Sequence, residues 1–303
     1  MSTLKILVLG SAAGGGYPQW NCRGPVSRRF WDGDPHVQSR TQSSIAVSVN
    51  DRDWLLINCS PDIRQQIIDT PALHPNDGLR STPIKSILLT NGDIDHIAGL
   101  LTLREKQAYT LYATPTVLDV LTDNRIFDAI DRDFVPRKPV VLGEPFAALP
   151  GLTLETFAVP GKVPLYMEDG TPDIGAETET TIGVELTSDD GRRALYIPGC
   201  AHISDTVRAR MIGADLLMFD GTLWTDTEMV DAGLGKKTGH RMGHISMSGD
   251  DGTIKTLENV AINRRVFVHI NNTNPVLVDN SRERQAAEAA GWEISYDGME
   301  IAL

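Results

Sequence analysis

The sequence predicts an α+β fold in which two packed β-sheets are flanked by helices. Strand-like runs of β-branched and leucine residues alternate with helix-like segments in both halves of the chain. With 303 residues, the chain is long enough to bury a large core. No shift in composition marks a linker, so we expect residues 1–303 to form one domain.

The first half is predicted to begin with a buried strand at residues 5–9, followed by a glycine-rich turn at 10–16. Residues 18–38, rich in Gly, Pro, Arg and aromatic side chains, are expected to form a long ordered loop. A helix should start with Ser60 as its N-cap and Pro61 in its first position, and should run to residue 68. Further strands are predicted at 44–49 and 54–58 around a turn at 50–53, and strand–helix alternation continues to residue 123.

The second half repeats this alternation. Two longer segments, 162–179 and 226–241, are expected to be active-site loops. The chain should end in a β-hairpin whose strands, 292–296 and 299–303, are joined across Asp297-Gly298. The other predicted elements are strands at 152–158, 181–186, 193–197, 216–219 and 266–270, and helices at 204–212 and 281–290.

The composition argues against nucleic-acid and membrane partners. Lys and Arg number 28 against 40 Asp and Glu, a net charge of −12, and phosphate binding needs clustered cations. No apolar run is long enough for membrane insertion, and the N-terminus lacks a signal-peptide pattern, so we expect a cytoplasmic location. Three cysteines without paired spacing fit a reducing compartment.

Residues 90–96 give the strongest indication of a functional site. They follow a strand-like run and precede an apolar helix-like segment, so Asp95 and His96 would lie in the loop between the two. Loops at strand ends are where a scaffold presents functional side chains. The alternative is that Asp95 only caps the helix and His96 is a surface residue. The apolar segments on both sides favour metal binding.

The segment resembles the metallo-β-lactamase signature Thr-His-x-His-x-Asp-His-x-x-Gly, with Asn91 and Asp93 in place of the first two histidines. The resemblance implies a metallo-β-lactamase-like αββα sandwich. It also implies that His269, which closes an apolar run, is the last histidine ligand of the fold; a buried histidine with no metal role is the alternative. The fold's middle histidine is missing, because residues 160–162 are Pro-Gly-Lys.

The missing histidines all belong to one of the two metal positions of that fold. The other position keeps Asp95, His96 and His269, the two-histidine, one-carboxylate set of facial-triad iron oxygenases. We therefore expect one divalent metal, with Fe(II) favoured and Zn(II), which has no redox chemistry, as the alternative. Asp93 would add an oxygen ligand or a supporting hydrogen bond.

Other residues are candidates for the rest of the site. Cys200 stands where the fold places a bridging carboxylate, and we interpret Cys200 and His202, like Asn91, as site-lining residues. His240 and His244 are candidate acid–base catalysts, with two unrelated loop histidines as the alternative. The glycine cluster lacks the Lys-Ser/Thr of a P-loop, so no nucleotide cofactor is expected.

Blocks across the chain resemble the pyrroloquinoline quinone (PQQ) biosynthesis protein B family, PqqB. The resemblance implies a role in PQQ biosynthesis as an Fe(II)- and O2-dependent hydroxylase of a tyrosine precursor such as glutamyl-tyrosine, with other PQQ-pathway proteins as partners. An older proposal for the family is a non-catalytic carrier that moves PQQ or its precursor toward the periplasm. A zinc hydrolase is a third hypothesis, weakened by the missing histidines. The blocks are residues 6–22, 90–100, 196–201, 242–247 and 267–275.

Two further expectations accompany this resemblance. Lys162 and Arg241 are candidates to bind a substrate carboxylate. Many family members carry additional cysteines that form a structural zinc site around the position of Cys22. Here Arg23-Gly24-Pro25 follows Cys22, so that zinc site is expected to be absent.

Overall fold

Two seven-stranded β-sheets pack face to face, with helices on both outer faces. The structure, a computed structural model, describes residues 3–168, 170 and 173–303. The fold class predicted from the sequence is thus confirmed. The strands are β1 (Lys5–Gly10), β2 (Ser44–Ser48), β3 (Trp54–Ile57), β4 (Ile84–Leu88), β5 (Thr110–Ala113), β6 (Arg137–Pro139), β7 (Phe146–Leu149), β8 (Leu152–Gly161), β9 (Ala176–Ser188), β10 (Arg193–Ile197), β11 (Ala214–Asp220), β12 (Ile262–Val268), β13 (Trp292–Ile294) and β14 (Glu300–Ala302).

The helices are short and lie on the outer faces or in the connecting loops. Several begin with a Ser or Thr whose side chain accepts a hydrogen bond from the first turn, as Ser204 and Ser281 do. The α-helices are α1 (Pro25–Trp31), α2 (Ile63–Asp69), α3 (Ile94–Ile97), α4 (Pro115–Asp123), α5 (Asp205–Met211), α6 (Glu228–Asp231), α7 (Gly239–Met242), α8 (Thr253–Thr256) and α9 (Arg282–Ala289). Single 3₁₀ turns lie at Pro71–Leu73, Ala98–Leu101, Arg125–Ala129, Leu165–Met167 and Pro275–Leu277.

Both faces of each sheet are buried, which explains the nearly continuous apolar strands in the sequence. Side chains alternate between the faces of a strand, so Ile45 and Val47 of β2 join the core between the sheets, while Ala46 faces the outer helices. The second sheet contributes residues such as Tyr196 and Leu216 to the same inner core. This inner core holds the two sheets together.

The sheet topology brings several strand ends to one edge of the sandwich. The first sheet has the order β14-β1-β2-β3-β4-β5-β6, and the second has the order β13-β12-β11-β10-β9-β8-β7. Strands β10 to β13 run parallel to one another, as do β3 to β6, so their carboxyl ends meet at a common edge of each sheet. Bridges between Ala12 and Ile270 and between Asn91 and Thr181 connect the sheets there.

The predicted C-terminal hairpin is wrong. Strand β13 pairs in parallel with β12 in the second sheet, whereas β14 pairs antiparallel with β1 in the first. Asp297 lies between the two strands, and its carboxylate accepts hydrogen bonds from the backbone and hydroxyl groups of Ser11 and Thr41 at 2.6–2.9 Å. The chain does turn here, with Gly298 at φ 85°. The four hydrogen bonds to Asp297 fix this turn as the connection from a strand of the second sheet to a strand of the first.

The predicted start of α2 is also wrong. The helix begins at Ile63, and the Ser60 hydroxyl donates to the Gln66 side chain at 3.1 Å instead of capping the helix. The preceding residue is held elsewhere, because the N–H of Cys59 donates to the carbonyl of His96 and the carbonyl of Cys59 accepts from the N–H of Gly99.

The long segments contain more helix than expected. The loop predicted at 18–38 includes α1, and the one at 226–241 includes α6 and most of α7. The segment predicted as a loop at 162–179 contains a 3₁₀ turn and the start of β9, while residues 169, 171 and 172 lie outside the described part. Strands β11 and β12 begin earlier than predicted, at Ala214 and Ile262.

Candidate metal centre

Two loops from opposite sheets bring three predicted ligands together. Asp95 and His96 lie in α3, directly after the loop that follows β4, and His269 directly follows β12. The Oδ2 atom of Asp95 lies 3.3 Å from Nε2 of His269 and 3.7 Å from Nε2 of His96. One ligand atom from each residue lies within 4.8 Å of the others, which suits a single metal ion.

The buried imidazole of His96 is oriented for metal binding. Its Nδ1 lies 2.7 Å from the amide oxygen of Asn91, which also accepts from the backbone N–H of Asp93 at 3.0 Å. Since an amide oxygen only accepts, the ring proton lies on Nδ1 and the lone pair on Nε2. Within the described chain this buried Nε2 has no hydrogen-bond partner, and a metal ion would satisfy it.

Electrostatics keep the site in the protonation state that a metal needs. Burial lowers the pKa of His96 to about 4, so its imidazole is neutral at pH 7. Burial alone would raise the pKa of Asp95, but the neighbouring His96 and the hydrogen bond with His269 outweigh it and hold the pKa well below its usual range. A neutral imidazole and an ionised carboxylate are the ligand forms of these side chains.

His269 is held in an unusual backbone conformation. Its φ of 57° lies in the left-handed region, while the next residue, Ile270, is fixed by a β-bridge to Ala12. Its Nδ1 bonds to the hydroxyl of Thr222 at 2.9 Å, which leaves Nε2 directed toward Asp95. Non-glycine residues in this conformation are concentrated at functional sites, where the surrounding structure enforces the strain.

Asp93, also predicted as a ligand, lines the same cavity but belongs to neither cluster of potential ligands in the described residues. It stands at the N-cap of α3, and its carbonyl accepts from the backbone N–H groups of His96 and Ile97. Burial and then the negative charge of Asp95 raise the pKa of Asp93 to about 6. Its role as a ligand stays a prediction.

Asp220 and Thr222, which the sequence analysis missed, form a hydrogen-bonded group with His244. The fully buried Asp220 accepts from Nδ1 of His244 at 2.7 Å and from the hydroxyl of Thr222 at 2.6 Å. Burial disfavours charge on both partners, but their mutual attraction outweighs it, lowering the pKa of Asp220 and raising that of His244.

Asp220, His244 and His269 also have metal-ligand spacing, yet the Thr222 hydroxyl bonds to all three. We interpret this cluster as a hydrogen-bond network.

A strap of residues 162–168 lies over the cavity. Glu168 lies 3.1 Å from Nζ of Lys162 and binds Arg241 through both guanidinium nitrogens, at 2.8 and 3.2 Å. The hydrogen bond with Arg241 above all lowers the pKa of Glu168 to about 2. The hydroxyl of Tyr166 donates to the carbonyl of Gly92 at 2.6 Å. The two predicted substrate-binding cations are therefore already paired with Glu168, which the sequence analysis missed.

Three other predicted site residues lie away from the cavity. The side chain of Cys200 is fully buried in the core and its Sγ donates to the carbonyl of His202, so the neighbouring Pro198 and Gly199 line the cavity instead. His202 itself is exposed and lies against Gly175. His240 points to solvent from α7, because the left-handed Gly243 ends that helix and turns only His244 inward.

The candidate ligands form the floor of a cavity of about 450 Å³, a size typical of small-molecule sites. Leu165, Met229 and Met242 form an apolar part of its wall, and Lys162 and Lys237 supply positive charge. The cavity thus combines a metal-binding floor with an apolar wall. The remaining lining residues are Ala13, Gly14, Gln19, Asn91, Asp93, Pro198, Gly199, Thr222, His244 and Asn271.

Comparisons with known proteins agree with this geometry. A family model described as Beta-lactamase superfamily domain matches residues 53–270. The chain is 56% identical over 300 residues to coenzyme PQQ synthesis protein B of Methylobacterium nodulans, covering 99% of this chain and all of that protein. The chain belongs to the PqqB family. Its PqqB relative from Gluconacetobacter diazotrophicus is also 56% identical, over 98% of this chain and 99% of that protein.

Solved structures support the same family assignment. The crystal structure of Zn²⁺-bound PqqB from Methylobacterium extorquens has a TM-score of 0.97 at 55% identity, covering 99% of this chain and all of that one. A diphosphatase of the PhnP family has a TM-score of 0.71 at 23% identity, covering 99% and 97% of the chains, which shows the shared fold alone.

Membership of the PqqB family supports involvement in PQQ biosynthesis, and the candidate ligands support a divalent metal. In the described residues, no helix has both the length and the apolar character that crossing a bilayer requires. Cys22, Cys59 and Cys200 are free thiols, and no metal-ligand cluster in the described part of the chain includes Cys22.

Proposed function

We propose that this PqqB-family protein is an Fe(II)- and O2-dependent hydroxylase of a tyrosine-derived precursor in PQQ biosynthesis. The observation that carries the proposal is the cluster of Asp95, His96 and His269 around the unpartnered Nε2 of His96. Two histidines and one carboxylate leave coordination positions open for O2 and substrate, as in facial-triad oxygenases. Bound at these residues, ferrous iron would supply the activation of O2.

The overall reaction balances with an external reductant. One oxygen atom of O2 enters the aromatic ring as a hydroxyl group, and the other leaves as water. Two electrons from a donor such as ascorbate and two protons complete the balance. The protein must therefore bring protons to the cavity floor.

His244 is the best-placed residue to hold such a proton. Its Nδ1 bonds to the buried Asp220, so Nε2 is the ring nitrogen left for a substrate or a water molecule in the cavity. The raised pKa of His244, caused by Asp220 against the effect of burial, favours the protonated imidazole near neutral pH. His240, the other predicted catalyst, lies at the surface, so we assign this role to His244 alone.

The remaining cavity residues would orient the substrate and exclude water. Leu165, Met229 and Met242 offer an apolar wall against which an aromatic ring can pack. The strap across the opening is tied down by Glu168 and by the hydrogen bond from Tyr166 to Gly92. A substrate carboxylate that bound Lys162 or Arg241 would first have to displace Glu168.

Anaerobic protein loaded with Fe(II) and given glutamyl-tyrosine, ascorbate and then O2 tests the proposal. We expect a product heavier by one oxygen atom, with a dihydroxyphenyl ring, detected by mass spectrometry. Protein loaded with Zn²⁺ and the Asp95→Ala and His269→Ala variants are the controls and should give no product. Absence of product from protein shown to contain iron would overturn the proposal.

A carrier of PQQ or its precursor is the second candidate, favoured by the size of the cavity and its apolar wall. A carrier needs no chemistry at the metal, so binding of PQQ should remain tight in the Asp95→Ala variant. Tight binding without hydroxylation by the Fe(II) protein would support the carrier and exclude the hydroxylase.

A further inference from the structure

We propose that Lys237 binds a carboxylate of the substrate, so that the cavity selects aromatic acids over neutral aromatic compounds. This inference rests on the proposed function, because it names a chemical feature of the substrate of the same cavity. It goes beyond that function by assigning recognition to a residue outside the metal cluster.

The cavity as a whole disfavours anions unless a cation receives them. The carboxylates of Asp93 and Asp95 line its floor, and the chain carries a net charge of −12. An acidic ligand entering such a cavity is repelled at long range. A metal ion bound at the floor would offset these carboxylates only locally, so an acidic group at the far end of a ligand still needs a positive side chain in the wall.

Two of the cations near the opening already share one carboxylate partner. Glu168, whose side chain is 10% exposed, bonds to both Lys162 and Arg241. A substrate carboxylate would gain little from exchanging places with a carboxylate that is already well bound, since one charged hydrogen bond would replace another.

Lys237 is the cavity-lining cation without such a partner. It is half-buried, and no ion pair in the described part of the chain involves its Nζ, although its charge acts on Glu168 at longer range. The segment that carries it is fixed on both sides. Leu234 packs against Gly24, leaving no room there for a Cβ, and the N–H of Gly239 bonds to the carbonyl of Asp226 at 2.8 Å. Lys237 is therefore presented by an anchored loop.

The ligand class follows from the three parts of the cavity. The metal-binding floor receives the reacting ring, and the wall of Leu165, Met229 and Met242 receives its apolar faces. Lys237 then receives an acidic group at the other end of the molecule. The preferred ligand is an aromatic compound bearing a carboxylate.

Binding measurements on Zn²⁺-loaded protein under nitrogen test this assignment without turnover. The probes are glutamyl-tyrosine and its diamide, glutaminyl-tyrosinamide, which keeps the amino group and lacks both carboxylates, titrated by calorimetry into the wild type, Lys237→Ala and Lys237→Arg. The matched control is Lys236→Ala, which removes the same charge from the exposed neighbouring residue. Net charge is thus equal in the two alanine variants.

We expect Lys237→Ala to weaken binding of the acid about 10-fold, the value of one partly exposed charged hydrogen bond, and to leave binding of the amide unchanged. Lys237→Arg should retain most of the affinity, and Lys236→Ala should change it less than 2-fold. Equal losses for acid and amide, or equal effects of the two alanine substitutions, would overturn the role of Lys237 and leave the hydroxylase proposal intact. A wild type that binds neither probe would overturn both.

Discussion

Asn91 supports His96 at a position where the metallo-β-lactamase signature has a histidine. In the related signature this position is a histidine that binds metal, but here its amide oxygen accepts from Nδ1 of His96 and from the N–H of Asp93. The first contact fixes which nitrogen of His96 carries the proton. The second holds the loop that precedes α3. The substitution thus reinforces the remaining metal position.

We therefore predict that Asn91→Ala lowers metal affinity roughly 10- to 100-fold, the usual effect of removing a partner that orients a histidine ligand. Competition with a chromophoric chelator would measure the change for Zn²⁺. Asn271→Ala, which removes another cavity-lining amide without a contact to His96, is the matched control. Unchanged affinity in Asn91→Ala would show that His96 is oriented by other contacts.

Glu228 is a buried carboxylate beside the site. It accepts hydrogen bonds from the backbone of Trp224 at 2.7 Å and from the hydroxyl of Thr273 at 2.5 Å. Burial nevertheless raises its pKa from 4.5 to about 7. The unfolded chain therefore releases this proton at lower pH than the folded chain does. As a result, the free energy of unfolding contributed by Glu228 falls as the pH rises from about 4.5 to about 7.

Glu228→Gln copies the protonated form and removes this dependence. Relative to the wild type, the variant should gain about 3 kcal/mol in free energy of unfolding between pH 4.5 and pH 8. Urea unfolding at intervals across this range measures the difference. A constant difference between the two proteins would show that Glu228 has the same pKa in the folded and unfolded chains.

Sequence patterns predicted the candidate metal ligands but not the residues that hydrogen-bond to them. Asp95, His96 and His269 were predicted because the resemblance to the metallo-β-lactamase signature singles them out and because each lies where an apolar segment meets a loop. Asp220 ends β11 and Thr222 lies just after it, but Asp-Gly-Thr is typical of a turn and gave no sign of a functional site. Only the pairing of β11 with β12, which sets Asp220 beside Val268, puts them next to His269.

At the scale of elements, α3 is positioned by a close backbone contact at Gly99. This residue is buried, and its N–H bonds to the carbonyl of Cys59 at 2.9 Å. A Cβ on Gly99 would lie 2.0 Å from the carbonyl oxygen of Ser60, so no side chain fits without moving α3. The glycine of the signature is thus a packing requirement that places Asp95 and His96.

Gly99→Ala should therefore lower the free energy of unfolding by about 3 kcal/mol, the upper end of the usual cost of overpacking, and weaken metal binding as well. Gly92→Ala is the control in the same signature, because its Cβ would meet its nearest neighbour, the Tyr166 hydroxyl, at 3.3 Å. Urea unfolding of both variants gives the comparison. If Gly99→Ala were as stable as Gly92→Ala, the backbone around Gly99 would be able to move and make room for a Cβ with little loss of stability.

The wrong C-terminal hairpin shows what local sequence signals leave undetermined. The Asp297-Gly298 pair does form a turn, as its composition predicts. Which sheet each flanking strand joins is decided by distant partners, namely Ser11 and Thr41 on the carboxylate of Asp297. Turn chemistry acts over a few residues, whereas sheet membership depends on contacts hundreds of residues apart.

At the scale of the molecule, the candidate metal site depends on the two sheets staying together. His96 is presented by the first sheet and His269 by the second, and the core between the sheets includes Ile45 and Leu55 from one and Tyr196 and Leu216 from the other. We propose that residues 1–303 form a single domain in which neither sheet is stable alone. Separating the sheets would expose the apolar inner faces of both sheets to water.

Cooperative unfolding is the expected result. In metal-free protein, the most protected amides of β3 in the first sheet and β11 in the second should exchange with the same free energy of opening, equal to that of global unfolding. Hydrogen exchange at low urea concentrations, followed by mass spectrometry of peptides, measures both values. Two different free energies of opening would show that the sheets unfold independently. The candidate ligands His96 and His269 would then lie on units that can separate. A common value means that metal binding at their junction stabilises the entire chain, so Zn²⁺ should raise protection equally in β3 and β11.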